Sequence, residues 1–100
     1  MQIVWDQTVV EQLKNSHTVL ELETFDVKGT PVTTYCVVPA EKVFPDIMQL
    51  DSLKEIHAEF VKSYNTKNYK LCRDCAEHLV GRFSGELDSF YEEILNRIPT

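Results

Sequence analysis

The sequence predicts a single α+β domain, in which an N-terminal antiparallel β-hairpin packs against two to three C-terminal helices. Two observations predict this class. Before about residue 40, β-branched residues and two-residue alternation dominate, whereas beyond it apolar residues recur in steps of three and four. One hundred residues are the size of one domain, and no repeat, low-complexity tract or linker divides residues 1–100.

The N-terminal segment predicts two short elements. The first five residues fit either a third short strand beside the hairpin or a packed tail. Thr8 and Glu11 have the spacing of a capping box, in which each side chain satisfies a free N–H at a helix start. We therefore expect a short helix that runs to about Asn15.

The hairpin is predicted over residues 18–38. Its first strand alternates apolar and acidic side chains, as a half-solvated strand does: Leu20 and Leu22 on one side, Glu21 and Glu23 on the other. Gly29 suits a tight turn because glycine tolerates the positive φ that such turns need. Residues 32–38 return antiparallel, and Pro39 ends them.

Helices are predicted after the hairpin. Pro45 suits the first turn of one helix, and Ser52 with Glu55 offers a second capping box. Large side chains then recur in one helical stripe: Leu50, Leu53, Ile56, Phe60 and Tyr64.

In the last third, apolar residues form a second series with three- and four-residue steps, from Cys72 to Ile98. The series continues across Gly85 without a change of helical face. One long helix over about residues 68–98 would leave apolar side chains uncovered unless the chain dimerised. A helix that breaks, with Ser84 as the N-cap of a new one, avoids this. We predict the break.

Charge and cysteine content limit the classes of function. Sixteen acidic against ten basic residues give a net charge of −6, which argues against a general nucleic-acid binder and an anionic membrane surface but permits a basic protein partner. No apolar run approaches a membrane span, and the first residues do not resemble a signal peptide. Three cysteines fit a reducing compartment, so we expect a cytoplasmic protein.

One stretch interleaves basic and aromatic residues, the pattern that binds single-stranded nucleic acid: Lys62, Tyr64, Lys67, Tyr69, Lys70 and Arg73. Tyr64 continues the first helical stripe and Tyr69 begins the second. We therefore interpret both tyrosines as packing residues.

Cys72, Cys75 and His78 have a metal-like spacing. On a helix they share one face, and thiolates and imidazole are ligands that zinc prefers. A structural zinc site needs four ligands, however, and the two cysteines also fit the stripe that continues with Leu79. We expect packing and no cofactor, with a zinc-stabilised module as an alternative.

Catalytic signatures are weak. His17, His57 and His78 could join a cysteine or an aspartate in nucleophilic catalysis, but no spacing supports this and no glycine-rich phosphate loop is present. His57 is predicted to lie at the boundary of a helix face. We expect a non-enzymatic protein, and a small enzyme of unknown type stays an alternative.

The leading hypothesis is a small acidic protein-interaction domain, an accessory subunit or inhibitor of a larger assembly. Its candidate protein-binding residues are Glu21, Glu23, Glu86, Asp88, Tyr91, Glu92 and Glu93. Such a surface could dock a basic partner, imitate nucleic-acid phosphates as an inhibitor, or serve only to keep an exposed face solvated. Self-association is predicted through the hairpin edge or through a helix bearing Leu87, Phe90, Tyr91 and Ile94.

Overall fold

A computed structural model describes residues 2–99, which form an α+β fold and confirm the predicted class. The regular elements are β1 (Gln2–Val4), α1 (Gln7–Leu13), β2 (Thr18–Val27), β3 (Thr30–Val38), α2 (Ala40–Val43), α3 (Leu50–Asn65), α4 (Tyr69–Leu79) and α5 (Asp88–Arg97). Two 3₁₀ turns, Phe44–Gln49 and Phe83–Gly85, connect the later helices.

The three strands form an antiparallel sheet in the order β1-β3-β2, so β3 lies in the middle. The predicted hairpin is β2–β3, and the predicted third strand is β1, which pairs with β3. Lys28 and Gly29 form the hairpin turn with φ of 53° and 84°. Positive φ at both central residues is the type I′ geometry, whose twist matches that of the flanking strands.

The register of the hairpin shifts between Glu21 and Thr24. There the side chain of Thr34 replaces part of the backbone ladder: its Oγ1 accepts from the N–H of Glu23 at 3.2 Å and donates to the carbonyl of Glu23 at 2.9 Å. The irregularity divides β2 into an inner half beside the helices and an outer half toward the turn.

The main core lies between one sheet face and helices α3, α4 and α5. From the sheet it takes Leu20, Leu22, Cys36 and Val38, and from the helices a cluster of aromatic rings that includes Phe60, Phe90 and Tyr91. Val37 alternates with Cys36 and Val38, and it is buried outside this cluster, as is Val10 of α1. Because neighbouring strand residues point to opposite faces, α1 covers the other face of the sheet.

Two predicted capping boxes are wrong because both helices begin earlier than the sequence pattern indicated. Asp6 is the N-cap of α1, and its Oδ1 accepts a hydrogen bond from the N–H of Thr8 at 2.9 Å. The helix ends at Leu13 rather than near Asn15. Helix α3 begins at Leu50, so Ser52 already lies in its first turn.

The predicted break in the last third is confirmed, since α4 ends at Leu79 and α5 begins at Asp88. Ser84 is not an N-cap. It has a φ of 56° within the connecting turn, and its hydroxyl donates to the carbonyl of Lys42 at 2.7 Å. The turn reverses the chain and buries Leu87 completely, so the core helices cover one another within a single molecule.

Candidate functional site

An open groove of about 360 Å³ separates the inner half of β2 from helix α3. We call it the β2–α3 groove, and its lining residues are Val19, Leu20, Glu21, Lys54, His57, Ala58, Val61, Lys62, Asn65 and Thr66. In the sheet formed by residues 2–99, β2 is an outer strand. One row of its backbone groups therefore points away from β3, and the inner part of this row faces the groove.

The hydrogen bonds of β2 identify which backbone groups these are. The carbonyl of Glu21 accepts a hydrogen bond from Nε2 of His57 on α3 at 2.5 Å, so it points away from β3. In an antiparallel strand, the backbone groups of alternate residues point to the same side. The N–H of Glu21 and both backbone groups of Val19 consequently face the groove.

His57 forms one wall of the groove and links three elements. Its side chain is only 2% exposed, and its Nδ1 lies 2.8 Å from the hydroxyl of Tyr91 on α5. A carbonyl can only accept, so Nε2 carries a hydrogen and donates it to Glu21. Burial lowers the pKa of His57 below its ordinary value of 6.5, which keeps the ring neutral. The bare Nδ1 then accepts the hydrogen of Tyr91.

This arrangement makes His57 a packing and hydrogen-bonding residue of the core, and the prediction of a boundary residue is wrong. Both ring nitrogens are engaged within the protein, so neither is available to take a proton from a substrate. Burial also raises the pKa of Tyr91, which keeps its hydroxyl protonated. The sequence contained a signal for this burial, because His57 follows Leu53 by four residues and precedes Phe60 by three.

The α3 side of the groove is basic. Lys54, Ala58 and Lys62 follow one another at four-residue intervals on the exposed surface of the helix, and Val61 is buried below them. The acidic side chains of α3 lie on the next line around the helix, outside the groove lining: Asp51, Glu55 and Glu59. A protein with a net charge of −6 thus has two lysines along this groove.

The three candidate zinc ligands of the alternative hypothesis do not share one environment in the structure. Cys72 and Cys75 are buried in the core, whereas His78 is exposed. Burial raises the pKa of both thiols, which disfavours the thiolate that a metal or a nucleophilic step requires. Across residues 2–99, no group of three histidine, cysteine or acidic side chains is placed to hold a metal ion.

Several predicted acidic residues form ion pairs within the molecule. Glu86 pairs with Lys42. Arg97 lies 2.7 Å from Glu23 through Nη1 and 2.7 Å from Glu93 through Nη2, so it joins the hairpin to α5. These contacts give the three carboxylates an intramolecular role and leave less negative charge free to imitate a row of phosphates.

The remaining candidate protein-binding residues do not lie on one common surface. Asp88 accepts a hydrogen bond from the N–H of Gly81 at 2.8 Å and so stabilises the turn before α5, whereas Glu92 is exposed. Glu21 is also exposed, at the groove. Tyr91 is fully buried and belongs to the core, so it is removed from the candidate binding surface.

Burial of α5 also corrects one predicted route of self-association. The four residues proposed for a helix interface are at most 6% exposed: Leu87, Phe90, Tyr91 and Ile94. They pack inside one molecule because the break before α5 folds this helix back onto α3. Of the two predicted routes of self-association, the route through the hairpin edge stays a prediction.

Comparisons of the chain with protein-family models, with characterised proteins and with solved structures find no match. Within residues 2–99, no helix combines the length and the apolar character needed to cross a bilayer.

Proposed function

We propose that this chain is a small protein-interaction domain that binds an extended segment of a partner protein along β2, in the β2–α3 groove. The observation that supports this most directly is the row formed by both backbone groups of Val19 and the N–H of Glu21, which faces an open groove beside the Glu21 carbonyl already bonded to His57. An extended peptide that adds a strand to an exposed edge satisfies such groups, and side chains beside the edge then select its sequence. Binding of this kind suits an accessory subunit or an inhibitor.

The chemistry of the groove favours binding over catalysis. His57 is the titratable side chain deepest in the groove wall, and its two nitrogens are occupied by Glu21 and Tyr91. The lysines lie on the exposed rim. The groove therefore has a rigid wall and a charged rim, but it does not place a nucleophile beside an available base.

The test removes one backbone donor from the edge. Val19→Pro deletes the N–H that faces the groove, and it leaves the β2–β3 ladder intact because that N–H points away from β3. Val19→Thr is the matched control, since threonine is β-branched and keeps the N–H. A random dodecapeptide library displayed on phage is selected against the unmodified protein, and the enriched peptides are measured by calorimetry on all three proteins.

We expect enriched peptides to bind the unmodified protein and Val19→Thr similarly, and to bind Val19→Pro at least about tenfold more weakly, the equivalent of one lost hydrogen bond. Circular dichroism checks that both variants fold. If no peptide is enriched, or if the peptides bind Val19→Pro as tightly as Val19→Thr, the proposal is wrong. Sedimentation that shows a dimer dissociated only by Val19→Pro would instead assign the groove to a second copy of the chain.

A further inference from the structure

We infer that the segment bound in the β2–α3 groove is acidic, with two carboxylate side chains four residues apart and a small apolar residue midway between them. This inference rests on the proposed function, because it assigns a sequence preference to the same groove. It is carried by the positions of Lys54, Ala58 and Lys62 along the helix that faces the strand edge.

Charge complementarity selects carboxylates. Lys54 and Lys62 are exposed and line the groove, and the three acidic side chains of α3 lie outside it. Glu21 is the acidic residue of the lining. Because strand side chains alternate, its side chain points to the sheet face opposite Leu20 and Leu22, away from the face on which α3 packs. An added strand therefore meets two ammonium groups on its helix-facing side.

The spacing of the lysines matches that of an extended chain. Lys54 and Lys62 are eight residues apart on α3, which is about 12 Å along a helix axis. Residues i and i+4 of a β-strand point to the same face and are about 13 Å apart. Two carboxylates at i and i+4 of an added strand that runs along α3 can therefore each reach one lysine.

Ala58 determines which type of residue fits between the two carboxylates of the bound segment. It lies midway between the lysines, it is exposed, and its methyl side chain leaves room above the buried Val61. Residue i+2 of the bound segment meets this point, about 6 to 7 Å from each neighbouring carboxylate position. A small aliphatic residue contacts the methyl group there without displacing the flanking acids.

The test repeats the library selection on a variant with reversed groove charge, Lys54→Glu with Lys62→Glu. The matched control is Lys67→Glu with Lys70→Glu, which changes the net charge equally at two exposed lysines outside the groove. We expect the unmodified protein and the control to enrich Asp or Glu at i and i+4, and the groove variant to enrich Lys or Arg there. Exchange of both acids for their amides should weaken binding about twofold to thirtyfold, the range expected for two exposed ion pairs, and less at high salt.

The two proposals fail in different ways. If enriched peptides lose affinity for Val19→Pro but carry no acidic preference, strand addition stands and the charge inference is wrong. The same conclusion follows if the groove variant and the control select alike. If the peptides are acidic but bind Val19→Pro normally, they do not bind as an added strand, and both proposals are overturned.

Discussion

The buried imidazole of His57 makes stability depend on pH in a calculable way. Its pKa is lowered in the folded protein, chiefly by burial, and returns to about 6.5 on unfolding. Between these two values the unfolded chain binds a proton that the folded chain does not. A group with a lowered pKa therefore contributes its full stability above pH 6.5, and this contribution is lost as the pH falls below that value.

The size of this loss of stability follows from protonation of His57 in the unfolded chain. If the folded ring stays neutral, the loss between pH 7.5 and 5.5 equals the free energy of protonating a free imidazole, about 1.4 kcal/mol. This is an upper limit, which is reached when the folded pKa lies well below 5.5. Burial in the core around Phe60 and Phe90 opposes protonation of the ring, whereas the hydrogen bond to the carbonyl of Glu21 partly offsets this effect.

Urea unfolding at pH 7.5, 6.5 and 5.5, followed by far-ultraviolet circular dichroism, measures this loss. The comparison protein is His57→Gln, whose amide can still donate to the carbonyl of Glu21 and accept from Tyr91 but does not titrate. The histidines at 17 and 78 are present in both proteins, so their contributions cancel in the difference. If the unmodified protein loses no more stability than His57→Gln over this range, the assignment of a buried, neutral His57 is wrong.

Two further perturbations test contacts away from the groove. Tyr91→Phe removes the hydroxyl that donates to Nδ1 of His57 and leaves this buried nitrogen unpaired, so urea unfolding should show a loss of about 1 to 3 kcal/mol, and an unchanged midpoint would contradict the assigned hydrogen bond. Arg97→Gln removes the link between the hairpin and α5, and since the Arg97 side chain is 38% exposed the loss should not exceed about 1 kcal/mol and should shrink in 1 M salt. A larger loss that persists in 1 M salt would mean that packing of the Arg97 stem matters more than its charge.

The sequence predicted those parts of the fold that depend on short-range patterns. Alternating side chains and Gly29 marked the hairpin, and three- and four-residue steps marked α3, α4 and α5. The break before α5 was also predicted, because an uninterrupted helix would leave Phe90 and Ile94 uncovered. Each of these features follows from local geometry together with the need to bury apolar side chains, both of which can be evaluated along a single chain.

The groove could not be predicted in the same way, because it depends on which strand is left at the sheet edge. The order β1-β3-β2 puts β2 beside α3, and no local pattern fixes that order. The position of His57 on the stripe of α3 indicates burial, but its two hydrogen-bond partners, the carbonyl of Glu21 and the hydroxyl of Tyr91, are 36 and 34 residues away and no local pattern identifies them. Tyr91 is followed by two acidic residues, yet its own position falls on the buried stripe of α5.

The central position of β3 means that each of its two edges is covered by a different strand. The first strand pairs with β3 over only three residues, Gln2–Val4, and its pairing partner is far along the chain. Detachment of β1 would uncover the segment of β3 from Tyr35 to Val37 without opening the β2–β3 hairpin. The uncovered segment would then be a second open edge of the sheet, in addition to β2.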